Sequence, residues 1–428
     1  MLSNEQSTAI LAAVDQLFDA QIAFTQDLVR HPSLRGDEAT AQDFMFEAMR
    51  KRSLDMDRWK IDIDALCNHP GFGPVTVSYE NAYNVVGTYR PKNQQGRSLI
   101  LNGHIDVVPT GPRGMWTRSP WEPHVENGWL YGRGSADMKA GLAANLFAFD
   151  AVLAAGFTPT APIYFQSVVE EECTGNGALS CLERGYKADS VIIPEPEENM
   201  LVRANTGVLW FKVRVSGRPA HTREMATGFN AIDTAYSLIT SLRELEADWN
   251  AEHLQHPHFE HLEHPINFNV GKIEGGDWPS TVPPWCEFEV RVAMYPGMTA
   301  KQGKLLIEAC IGAAAKKHPG LNSFPPEVTW TGFFAEGYVL PVGTDAENTL
   351  RLCHQKTFGE DLNTFTTPGY LDARVYMIYG NMPTLVYGPV SKDIHGFDER
   401  VELDSLRRIT KTIALYIAEW CGIEESKN

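Results

Sequence analysis

His104 and Asp106 stand two residues apart, just after an apolar run at 98–101 whose pattern predicts a buried strand. Along an extended segment residues i and i+2 face the same way, so the imidazole and the carboxylate share one side. Asp137 follows in Gly132-Arg133-Gly134-Ser135-Ala136-Asp137-Met138-Lys139, at a Gly-rich turn before an apolar helical run. Glu170-Glu171-Glu172 closes a strand predicted at 163–169, and Glu195 closes another at 190–193. Three adjacent acids repel one another unless something cationic compensates them. His221 and His395 lie in loops, the second between the last predicted strand and the last helix. Ligand sites in open α/β sheets gather at such strand edges. Carboxylates and imidazoles converging there describe a divalent-metal site, best matched by Zn²⁺. A lone His-x-Asp is more often structural, and an acidic triplet is usually a solvated face. The ordered set is what carries the argument.

The elements that must position these residues follow from periodicity. A helix is predicted over residues 3–30, with Ser3 and Gln6 able to form a capping box. Gly36-Asp37 is expected to cap a second helix, 38–50. Strands near 59–63, 84–89, 98–101, 163–169 and 190–193 alternate with helices at 139–154 and 176–184, the pattern of an α/β fold with a largely parallel sheet. Near residue 205 the texture changes. A half-exposed alternating strand at 207–215, helix 228–244, strands 266–273 and 285–294, helix 300–317 and strand 327–330 make a compact β-rich unit. Helix 345–359, strand 384–387 and helix 404–421 complete the chain.

The 428 residues are too many for one ordinary core, so two domains are expected. The net charge of −17 argues against a nucleic acid or an anionic membrane as partner. Seven scattered cysteines without a C-x-x-C pair fit reduced thiols in a cytoplasmic protein. Glu5, Asp15 and Asp19 interrupt the N-terminal apolar pattern, contrary to a secretory signal. No apolar run approaches the roughly 18 residues of a spanning helix.

The ordered set closely resembles the dinuclear-zinc family of acetylornithine deacetylase, succinyl-diaminopimelate desuccinylase, aminoacylase and the glutamate carboxypeptidases. The likeness runs from Val29-Arg30-His31-Pro32-Ser33 to His395-Gly396-Phe397-Asp398-Glu399 and is densest over residues 99–141. It implies an α/β, zinc-peptidase-like three-layer catalytic domain, residues 1–204 and 334–428. An inserted α+β (ferredoxin-like) dimerisation or lid domain would fill 205–333. It also implies two divalent cations, Zn²⁺ with Co²⁺ or Mn²⁺ as alternatives. Asp137 would bridge them, His104 and Glu195 would complete one, and Glu172 and His395 the other. Asp106 would accept the free N–H of His104 and fix its tautomer. Glu171 would be the general base. His221, reaching the active site of a partner subunit in a homodimer, would donate to the oxyanion.

Arg291 matches an arginine that grips a substrate carboxylate, and Asn267 and Thr281 match neighbouring substrate-facing positions. Gly369-Tyr370-Leu371-Asp372 departs from the usual Gly-Thr-Ser-Asp, which adds bulk and apolar surface and suggests an aromatic or apolar substrate group. The reaction implied is hydrolysis of a C–N amide bond in a small N-acyl amino acid or related N-acyl amine. Two alternatives stay open. One is deformylation or deamination of an aromatic or heteroaromatic amine, and the other a catalytically inactive metal-binding scaffold.

Overall fold

The computed structural model describes residues 2–426, apart from the Pro319 side chain. Among the described residues the main sheet runs in the order Asp55–Lys60, Tyr83–Tyr89, Ile163–Val168, Leu99–His104, Ser190–Ile193 and Thr384–Val386. The four strands from Ile163–Val168 onward are mutually parallel, and the first two pair antiparallel at the edge. Alternation along the strands splits the faces. Phe165 meets Phe149 of helix Ala140–Ala154, while Val86 and Val168 pack on Cys181 of helix Asn176–Glu183. Helices Asn4–Val29, Ala140–Ala154 and Leu403–Cys421 pack together on the first face. Helix Ala140–Ala154 is buried almost all round, as its uniformly apolar sequence requires. The layers are therefore helix, sheet and helix.

Strands Phe268–Gly275, Trp285–Met294, Gly207–Ser216 and Glu327–Ala335 form a second, antiparallel sheet in that spatial order. Helices Ala231–Ala251 and Ala300–Lys316 pack on it over a core of their own. Strand, helix, two strands, helix and strand in this order give a ferredoxin-like α+β unit. The pairing of its first strand with Glu327–Ala335 slips between Leu209 and Phe211, and the extra residues lie on Glu327–Ala335.

Three local expectations change. The capping box at Ser3 and Gln6 is present, but Asp37 does not cap the second helix. That helix is Ala39–Lys51, its N-cap is Glu38, and the Glu38 carboxylate turns back to accept from the Gly36 N–H. The helix expected from 228 begins at Ala231, because the Asn230 side chain accepts from the N–H groups of Ile232 and Asp233. A small antiparallel sheet absent from the sequence reading, ordered Ser391–Lys392, Arg400–Glu402, Trp129–Tyr131, His124–Glu126, ties the C-terminal loop to the segment before Asp137.

Candidate metal centre

The parallel strands deliver the acids and imidazole at their carboxyl ends. His104 is the last residue of its strand and pairs in register with Val168; Glu171 and Glu172 follow that neighbour, and Glu195 follows Ser190–Ile193. His395 arrives from the loop between the hairpin strands Ser391–Lys392 and Arg400–Glu402, at φ +60°. Asp137 comes from the turn before Ala140–Ala154. Gly134 in that turn has φ +75°, and a Cβ there would lie 2.6 Å from Val107 Cγ1, so only glycine fits.

Asp137 lies between the two imidazoles. Its Oδ1 is 3.0 Å from His104 Nε2 and its Oδ2 is 3.3 Å from His395 Nε2. His395 Nε2 also lies 3.2 Å from Glu172 Oε2, and His104 Nε2 lies 3.7 Å from Glu195 Oε2 and 4.0 Å from Glu171 Oε2. Ligand atoms of His104, Asp137 and Glu172 fall within 4.8 Å of one another. His104 Nδ1 meets the main-chain carbonyl of Asp106 at 2.8 Å. A carbonyl only accepts, so Nδ1 carries a proton and Nε2 is the nitrogen turned to the carboxylates. Those contacts need positive charge, on the ring itself or on a cation held between them. A buried Glu195 Oε1 without a hydrogen-bond partner adds to the same demand. The donor set therefore fits divalent cations, with oxygen and imidazole ligands.

The electrostatics show the strain of the acids without such charge. Burial pushes Glu195 and Asp106 up to about 7 each, against the pull of His104. Burial also raises Glu171 well above the carboxylate range. Glu172 foremost drives His395 up to about 11. Burial opposes ionisation of Asp137, yet hydrogen bonds from His104 and His395 hold it below its ordinary range.

Asp106 plays a different part from the one expected. Its carboxylate stands 3.7 Å from His104 Nδ1 and instead accepts the N–H groups of Glu171 and Glu172, at 3.3 and 3.1 Å. It thus fixes the backbone of both acids, while its carbonyl orients His104. Glu170 points away into a buried pocket. There Arg35 meets it bidentately at 2.6 and 2.8 Å and the Tyr79 hydroxyl donates to it, so the triplet's repulsion is relieved.

Two positioning residues escaped the sequence reading. The buried Glu399 carboxylate accepts from the N–H groups of Gly134, Ala136 and Asp137 at 2.9, 3.0 and 3.0 Å, and pairs with Arg133 at 2.6 Å. Arg133 also donates to the Gly396 carbonyl, so one ion pair clamps the Asp137 turn to the His395 loop.

A cavity of about 530 Å³ opens over the acids, lined by Asp137, Glu171, Glu172, Glu195, Glu197 and His395, and by Asn267, Arg291, Gly369 and Tyr370. Trp210 and Phe333 also line it. Their rings meet edge-on at 4.9 Å, and Phe333 lies 4.2 Å from Tyr370, so three aromatics form one wall. Trp210 and Arg291 are cross-strand partners on the inserted sheet. Arg291 donates to the Pro368 carbonyl at 2.9 Å, and burial lowers it to about 10. The Tyr370 hydroxyl donates to Asp372 at 3.0 Å and occupies the space that Gly175 leaves: a Cβ there would be 1.8 Å from it. Burial raises Cys173 well above the thiol range, so it packs as a neutral thiol. His221 and Thr281 do not join this cavity. They bridge to each other on the inserted unit, with His221 exposed and its Nδ1 accepting from the Arg223 N–H.

Residues 100–419 match the model of Peptidase family M20/M25/M40. The chain is 30% identical over 443 residues to the N-formyl-4-amino-5-aminomethyl-2-methylpyrimidine deformylase of Halalkalibacterium halodurans, covering 97% of this chain and 98% of that one. The deformylase of the same name from Bacillus subtilis is 29% identical over 368 residues, covering 80% of this chain and 84% of its own. The solved dipeptidase Dug1p of Saccharomyces cerevisiae superposes with TM-score 0.78 at 14% identity, over 98% and 99% of the two chains, a likeness of fold.

Proposed function

The chain belongs to Peptidase family M20/M25/M40, and from that premise we propose that it removes the formyl group from the aminomethyl arm of an aminated heteroaromatic ring. It is a metal-dependent amidohydrolase acting on the C–N bond of an N-acyl amine. The observation that carries the narrower reading is the aromatic wall of Trp210, Phe333 and Tyr370, which shares one cavity with the acids. A flat ring can stack there while its acyl arm reaches Glu171. The substrate named for the Halalkalibacterium halodurans and Bacillus subtilis relatives has this shape.

In this reading His104 and Glu195 would hold one cation, Glu172 and His395 the second, and Asp137 both. The donor set suits Zn²⁺, and Co²⁺ or Mn²⁺ also accept it. Such cations supply Lewis-acid charge that polarises the acyl oxygen and acidifies water. Glu171, buried and basic, takes a proton from the attacking water as its oxygen adds to the formyl carbon. When the C–N bond breaks, Glu171 passes that proton to the departing nitrogen, leaving formate and a primary amine. His221 and Thr281, outside their own chain's cavity, act from a second copy in a homodimer, where the His221 imidazole donates to the developing oxyanion. The seven free cysteines suit a cytoplasmic setting. No helix among the described residues is long and apolar enough to cross a membrane.

Arg291 favours a second reading. Its guanidinium lines the cavity with the Pro368 carbonyl as its partner, and could grip the carboxylate of an N-acyl amino acid. A panel of N-formyl, N-acetyl and N-succinyl substrates, on aminomethylpyrimidine and on amino acids, separates the two. The first reading expects kcat/KM to be highest for the formylated pyrimidine, and Trp210→Ala to lower it by about tenfold or more. Preference for N-acyl amino acids, lost selectively in Arg291→Ala, would replace it with the second.

A further inference from the structure

Glu197 has no role in the chemistry described so far. It follows Glu195-Pro196, is half-buried, and lines the same cavity as Glu171, Trp210 and Tyr370. Glu195 and Asp137, which line the same cavity, have imidazole partners within the metal cluster, whereas no hydrogen bond or ion pair of the Glu197 side chain is found among the described residues. A carboxylate kept in a cleft without a partner is an acceptor awaiting a donor that arrives with the ligand. The same cleft carries the Trp210–Phe333–Tyr370 wall. A ring stacked on that wall turns its edge to the groups that flank it.

We propose that Glu197 is a specificity residue that accepts hydrogen bonds from the amidine-like edge of the substrate ring, its exocyclic amine and the adjoining ring nitrogen. The claim rests on the deformylase reading and says which heteroaromatic amines the site selects. An amino group beside a ring nitrogen can present two parallel donors once that nitrogen is protonated. A carboxylate accepts both in the geometry it offers a guanidinium. A bare phenyl ring offers neither, and leaves Glu197 desolvated and unpaired.

The test uses the metal-loaded full chain and compares Glu197→Gln with the native protein on two formamides. One is the N-formyl 5-aminomethyl-4-aminopyrimidine and the other N-formylbenzylamine, which has the same arm on a plain ring. Glu197→Gln should raise KM for the pyrimidine about tenfold or more, with kcat little changed, no rise in KM for the benzylamine, and the metal content intact. Glu197→Asp should recover part of the loss. Equal loss on both substrates, no loss on either, or loss of metal would overturn the assignment. If the native protein hydrolyses neither formamide, the deformylase reading fails on its own. Equilibrium binding of the two free amines to native protein and Glu197→Gln then decides this claim. A preference for the aminopyrimidine that the variant abolishes upholds it, and equal binding overturns it.

Discussion

On the floor of the cleft Asp137, Glu171 and Glu172 are held from behind. Asp106 grips the N–H groups of Glu171 and Glu172, Glu399 grips three N–H groups of the Asp137 turn, and Arg35 removes Glu170 from competition. On the facing wall, Trp210, Asn267 and Arg291 of the inserted unit are half-buried or exposed, and Arg291 donates to one carbonyl. The floor is over-determined and the wall is not. Reaction geometry needs placement to a fraction of an ångström, while substrate choice needs only the right surface. The comparison therefore assigns the chemistry to the held acids of the floor, and the specificity to the wall together with the unheld Glu197.

The largest expected effect is on the floor. Glu171→Ala should lower kcat by about 10³-fold or more, at unchanged metal content, since no other base replaces it. Loss confined to KM would move Glu171 out of proton transfer. Next comes the joint between the two regions. Arg203, just before the chain enters the inserted unit, pairs with buried Glu347, just after it returns. Burial pushes Glu347 up, but hydrogen bonds from Arg203 and Arg351 overcome it and hold the carboxyl at about 2, below its ordinary 4.5. A depressed folded-state value means stability that is full above about pH 4.5 and lost as pH falls towards 2. Glu347→Gln should cost ~3–5 kcal/mol in urea unfolding at neutral pH, from the unpaired Arg203, and should flatten this acid limb. An unaltered limb would refute the pair's role.

Glu399→Gln should weaken metal binding about 10–100-fold by loosening the Asp137 turn. Calorimetric affinity equal to that of the native protein would make the clamp incidental. The smallest signal concerns the second copy. Mixed dimers of His221→Ala and Glu171→Ala chains should regain a fraction of native activity, because one of their two sites recovers both groups. Silence from verified mixed dimers would remove His221 from the oxyanion.

The floor was legible in the sequence because strand ends carry their chemistry on a period of two, and an acid after an apolar run announces itself. Asp106 was found, but not its bond to the next strand's N–H groups, since that depends on how Leu99–His104 and Ile163–Val168 lie side by side. Glu399 and Arg133 were in quoted motifs, yet their pairing spans the chain. A local signal for the small sheet was there to be read: Asn127-Gly128 between two short strands is a hairpin turn, and both residues have positive φ. Trp210 lay on the polar side of a strand read as half-exposed. That side faces the cleft instead of bulk water, a distinction no alternation pattern contains.

The account turns on two cations that share Asp137. The direct measurement is the metal-to-chain ratio of fully active protein, set beside that of Asp137→Ala. Two divalent ions per chain in the native protein, with ions and turnover both lost in the variant, is the predicted result. Full turnover from protein that carries no transition metal would contradict it.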